Sequence, residues 1–211
     1  MRLRPSPWIL ALSVVSVVFG CTCGEGLKQG TLIKRPDKFF PDTWKHAPAS
    51  LVFPGFEVDA ELELMIDGTR RTLRALRDGD LMDEEVYIVT TEVIEIEQIP
   101  PGAGERFDPP IPLLWSSMRI GDEREWKGKV LYGKQGIPTE ATVKTSVESV
   151  TLATGPAETV YVEVNLRMDD GSPKKAERRL RFWFVKGEGP VKRDFGEQVR
   201  EPRAESDADA G

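Results

Sequence analysis

A single histidine, His46, and two cysteines, Cys21 and Cys23, are all this chain of 211 residues offers to chemistries that depend on those side chains. A Ser-His-Asp triad would have one imidazole to draw on, and only if the segment around His46 folded into the site. No Gly-x-Ser-x-Gly elbow occurs. Gly102-Ala103-Gly104 leads into neither a Gly-Lys-Ser/Thr step nor a helical pattern, so it is not a phosphate cradle. Cys21-Thr22-Cys23 spaces its thiols too tightly for ordinary disulfide geometry, and no disulfide framework is encoded. No apolar run approaches the ~20 residues that a spanning helix needs. Basic charge is short as well, with 29 Lys and Arg against 35 Asp and Glu and a net charge of −6. The first twenty residues hold Arg2 and Arg4 and no acid, so the rest of the chain carries a net charge of −8. Such a surface repels nucleic acid, which is not an expected partner.

The chain does contain an N-terminal stretch with a direction to it. Arg2 and Arg4 precede the apolar segment from Trp8 to Phe19, which has the form of an export signal. It stops at Val18-Phe19-Gly20-Cys21, which resembles the lipobox of bacterial lipoproteins: an aliphatic residue, two further positions ending in a small one, then cysteine. Phe19 departs from the usual small or β-branched residue. The resemblance implies cleavage after residue 20 and acylation of Cys21, which would make the membrane a partner through lipid. Each buried methylene contributes ~0.8 kcal/mol, and more than one chain gives durable attachment. Thr22 in the next position is not Asp, which by the sorting logic of such proteins implies the outer membrane, facing the periplasm or the surface. Cys23 would then be an odd thiol.

Residues 21–50 read as lipid anchor and flexible linker, because glycine, proline and alternating charge leave no helical or strand period. Phe39, Phe40 and Trp44 could dock on the domain C-terminal to them, and His46 reads as an exposed linker residue. A β domain is expected over residues 51–196. From Phe56 to Ile66, apolar residues alternate with Glu57, Asp59, Glu61 and Glu63, the period of a half-buried antiparallel strand. Asp67-Gly68 signals a hairpin, and Arg70, Arg71 and Arg74 return opposite the acids. The acidic run from Asp78 to Glu85 fails as an EF-hand loop, since Met82 and Asp83 hold the fifth and sixth positions, and it reads as a solvated turn. Glu85 to Glu97 alternates with a slip near Thr91 that suggests a bulge. Five prolines between Ile99 and Trp115 predict a crossing loop. Further strands are expected over residues 124–133, 139–152, 159–168 and 176–185. Residues 197–211 are polar and acidic and read as a disordered tail. The whole is all-β, a single antiparallel barrel-like or sandwich domain.

Gly121-Asp122 with Trp126 and Gly128, Glu148-Ser149-Val150 before the strand at 159–164, and Trp183-Phe184 with Gly187, Gly189, Val191 and Lys192 resemble a family of β-rich, secreted bacterial envelope proteins of unknown function. The likeness covers roughly residues 113–196. It implies an exported β domain and carries no catalytic residues. Acids are plentiful enough for a carboxylate hydrolase, but the candidates, Glu148 among them, lie on expected strand faces. Trp115, Trp126 and Trp183 are the candidate contacts for an apolar ligand or envelope partner, with core packing as the competing role. The expectation is therefore a lipid-anchored, non-enzymatic binding or assembly component without cofactor or metal. The alternatives are an envelope hydrolase and a structural or adhesion module.

Overall fold

The structure is a computed structural model, which describes residues 26–43, 46–100, 105–152, 154–196 and 198–202. The expected signal segment, Cys21, Trp44 and most of the expected tail lie outside them. After a 3-10 turn at Pro36–Phe39 the chain forms β1 (His46–Phe53), β2 (Phe56–Asp67), β3 (Arg70–Arg77), β4 (Asp80–Val89), β5 (Val93–Ile99) and β6 (Glu105–Trp115). It continues through β7 (Glu123–Tyr132), β8 (Gln135–Leu152), β9 (Gly155–Met168), β10 (Ala176–Val185), β11 (Gly189–Asp194) and β12 (Val199–Pro202). Each strand pairs antiparallel with the next, and β12 pairs with β1, so the sheet is a closed up-and-down barrel. Closure leaves no outermost strand in the sheet.

The alternation read along β2 sets the wall. Val58, Ala60, Leu62 and Leu64 are buried inside, while Glu57, Asp59 and Glu61 are exposed. In β10 the inward set is Leu180, Phe182 and Phe184, all fully buried, with Arg179 and Arg181 on the other face. A lipid-spanning barrel needs the reverse, an apolar band outside, and no described helix is long and apolar enough to cross a membrane.

Several boundaries differ from the sequence-based expectation. The segment expected as a flexible linker packs down: Ile33, Phe39 and Phe40 are buried, and β1 begins at His46 instead of Leu51. Its apolar side chains show no period because the segment lies across one barrel end and does not follow a strand or helix. His46 is exposed, as expected, but belongs to β1. At the other terminus β12 lies in the expected tail, where Val199 and Arg200 complete the ladder to β1 and so to the whole wall. The expected bulge near Thr91 is a turn, closed by the Thr90 N–H donating to the Val93 carbonyl at 2.9 Å, and it separates β4 from β5. The expected crossing loop holds strand β6. Its prolines are accommodated because β6 meets β7 only at Arg106–Asp108 and its ladder with β5 shifts register twice, so few N–H donors are needed there. Ile111, Leu113 and Leu114 of this strand are fully buried.

The β10–β11 turn follows its glycines. Gly187 has φ +79 and Gly189 φ +85, both in the region where a Cβ is costly. An extended Gly189 is the expectation for a residue preceding proline; instead it turns back under Phe40, whose ring would lie 3.7 Å from a Cβ there.

Candidate functional site

Two environments inside the barrel stand apart from ordinary apolar packing. The first is a buried charge cluster. Asp83 and Glu85 point inward from β4, and Arg193 of β11 and Arg200 of β12 reach them from the far wall; none of the four is more than 5% exposed. Arg193 contacts Asp83 and donates through Nε to Glu85 at 2.9 Å, and Arg200 Nη1 donates to the same carboxylate at 2.7 Å. The Tyr87 hydroxyl donates to the other Glu85 oxygen. Arg193 also donates to the Gln198 carbonyl at 2.9 Å and Arg200 to the Pro190 carbonyl at 2.7 Å. Burial pushes the Glu85 carboxyl above its ordinary range against the pull of the Arg200 guanidinium, and burial also drives the Tyr87 hydroxyl well up and Arg193 well down. Two acids facing two bases cancel in charge, and each of the four side chains is engaged by a protein partner. The arrangement ties opposite walls together.

Sequence reasoning does not find this cluster. It places Asp83 and Glu85 in a solvated turn and Arg200 in a tail. No local signal marks them, since a charge in a short alternating stretch looks the same whether its face meets water or an opposite charge.

The second environment is an apolar pocket of about 240 Å³ at the barrel end that also holds the β2–β3 and β8–β9 turns. It is lined by Leu62 and Leu64 of β2 and Leu73 of β3, by Phe40 and Pro190, and by Leu152 and Thr154 at the tip of the β8–β9 hairpin. Phe40 is held by Tyr87 and Phe184, ring centroids 5.1 and 6.2 Å away. The N-terminal segment leaves from the same end. The Leu27 N–H donates to Glu158 of β9 at 2.6 Å, and the Gly187 N–H donates to the Lys38 carbonyl at 2.9 Å.

The three tryptophans singled out from the sequence are not brought to one surface. Trp126 of β7 is inside, edge-on to Phe107 at 6.2 Å. Trp115 sits at the end of β6 with the Arg124 guanidinium 5.4 Å over its ring. Trp183 lies on the outer face of β10, only 8% exposed, where it packs on Tyr161 at 5.1 Å, lies under the Lys192 ammonium and donates its indole N–H to Glu148 at 2.7 Å. Glu148 and Trp183, drawn together by the family resemblance, are thus hydrogen-bonded partners. Among the described residues no cluster of three or more His, Cys, Asp or Glu is placed to hold a metal.

The fold and these sites define a closed, internally filled β-barrel with an apolar pocket at one end. No family model and no curated protein matches the chain. Among solved structures, the chain is similar to the crystal structure of a "putative lipoprotein" from Parabacteroides distasonis, at 10% identity and a TM-score of 0.49, over 82% of this chain and 99% of that one.

Proposed function

We propose that this protein is a lipid-anchored component of the bacterial cell envelope, tethered at Cys21, whose barrel is a non-catalytic module that binds an apolar ligand in its end pocket. The observation that carries the reading is the position of that pocket. Leu27 is fixed on the β8–β9 hairpin, and the stretch from Cys21 to Leu27 spans at most about 20 Å. An acylated Cys21 would therefore hold the pocket end of the barrel against the bilayer, with Leu152 and Thr154 at the mouth. The outer membrane is the membrane proposed, from Thr22.

The engagement of Asp83 and Glu85 by arginines supports a non-catalytic reading, because a carboxylate hydrolase needs acids open to substrate and water. One observation favours a second reading, a structural or adhesion module: inward side chains of the strands and Ile33, Phe39 and Phe40 of the N-terminal segment form one continuous apolar core.

The test has two arms. Palmitate labelling should be lost in a Cys21→Ser, Cys23→Ser double variant, and persistent labelling would refute the anchor. The full-length chain should bind the uncharged apolar fluorophore N-phenylnaphthylamine, and Leu152→Trp, which fills the mouth from a half-buried position, should weaken binding. If the wild-type chain binds no such probe, the structural reading takes the place of the ligand-binding one.

A further inference from the structure

We propose that the end of the barrel opposite the pocket carries a docking groove for an extended, basic peptide segment of a partner protein, which adds to the free edge of β2.

The stagger of the strands creates the groove. β2 pairs with β1 from Phe56 to Glu63, but its ladder with β3 begins only at Glu61, opposite Leu76. From Phe56 to Ala60 the β2 backbone thus has a strand on one side only. Its alternate N–H and C=O groups on the other side face an opening, because β3 turns away into β4 through Asp78 and Gly79. The opening is about 1060 Å³ in volume and runs over the outer face of β12, β1 and β2, past Glu201, Ser50 and Asp59, to the Asp78–Gly79 turn beside the free edge. An unpaired strand edge beside a groove is the template used in β-strand addition, where main-chain hydrogen bonds supply affinity and side chains supply selectivity.

The selectivity is written in charge. Glu57, Asp59 and Glu61 point outward from β2 at every second position, so about 7 Å separates one from the next. Asp78 and Glu201 also border the groove but are paired with Arg77 and Lys192, and among the described residues Arg77 is the one base on its border. Several other outer-wall carboxylates are paired with bases: Glu97 with Arg70 and Arg106, Glu140 with Lys127, Glu123 with Lys144. Glu57 and Glu61 have no ion pair among the described residues. Lysines or arginines at alternate positions of an added strand would match the carboxylate spacing along β2.

A second copy of this chain is the wrong occupant. Pairing edge to edge would set Glu57, Asp59 and Glu61 against themselves, and like charges directly opposite are destabilising. The same acids guard the edge against self-association while leaving it open to a basic strand.

The probe is a fluorescent peptide of about eight residues alternating lysine with valine, a strand-length segment, titrated by anisotropy into the full-length chain. A second peptide of the same sequence is N-methylated at alternate residues along one edge. The unmodified peptide is expected to bind, and the Glu57→Lys, Glu61→Lys double variant to weaken it by at least about tenfold, equivalent to ~1.4 kcal/mol. Both substitutions fall on exposed side chains, so a retained far-UV circular dichroism spectrum separates lost binding from lost fold. N-methylation should weaken binding by a similar factor. The proposal is overturned if the unmodified peptide does not bind, if the double variant binds it as well as wild type does, or if both peptides bind equally, which would make the groove an electrostatic patch and not a strand-addition site. It is also overturned if sedimentation shows a dimer that the double variant dissolves.

Discussion

Arg193 and Glu85 meet inside the barrel, the guanidinium Nε 2.9 Å from the carboxylate, across a sequence separation of 108 residues. Twelve strands enclose a lumen wider than the eight-stranded barrels that ordinary side chains fill. A long arginine side chain from each of two neighbouring strands, β11 and β12, closes that distance to β4, and the acid pair makes its burial tolerable.

Removing one member of this cluster leaves charge buried without compensation. Glu85→Gln is expected to lower the unfolding free energy by about 3–5 kcal/mol, read as a fall in the urea midpoint. Replacing Asp83, Glu85, Arg193 and Arg200 together by apolar residues of similar volume should be neutral or stabilising by the same argument. A loss below ~1 kcal/mol for Glu85→Gln would show that water reaches the cluster.

The N-terminal segment is part of the fold, so a chain starting at Leu51 should not melt like the full one. It would lose Ile33, Phe39 and Phe40 from the core and the first five residues of β1. Phe40→Ala alone is expected to cost about 3–5 kcal/mol, and at ~2–4 °C per kcal/mol for a chain of this size the shortened chain should melt about 10 °C lower or more. An unchanged melting temperature would return residues 26–50 to the role of a spacer.

Trp183 offers a test of packing against contact on the outer wall. The indole is covered by Tyr161 and Lys192 and its N–H is held by Glu148 at 2.7 Å. Trp183→Ala is therefore expected to cost about 3–5 kcal/mol, and Trp183→Phe, which keeps a ring but drops the hydrogen bond, about 1 kcal/mol. Should Trp183→Ala cost less than ~1 kcal/mol and yet abolish capture of an envelope partner, the indole is a binding residue.

What the sequence determined by itself is what depends on neighbours two residues apart or on a single turn. The alternation from Phe56 to Ile66, the turn at Gly68 and the strand at 176–185 all fall where the residues indicated, because strand pleating and glycine's freedom act within a few bonds. The sequence also left open whether the strands formed a sandwich or a barrel, and tertiary pairing decided it: closure rests on the four residues of β12, in a stretch with no strand period of its own, meeting β1 about 150 residues earlier in the chain. The same holds for the packed N-terminal segment and the prolines of β6, which the local pattern marked as spacer and loop. It holds most of all for Asp83, Glu85, Arg193 and Arg200. An acid or a base in an alternating stretch states only that its face must be satisfied, by water or by opposite charge, and the barrel's closure puts the opposite charge there.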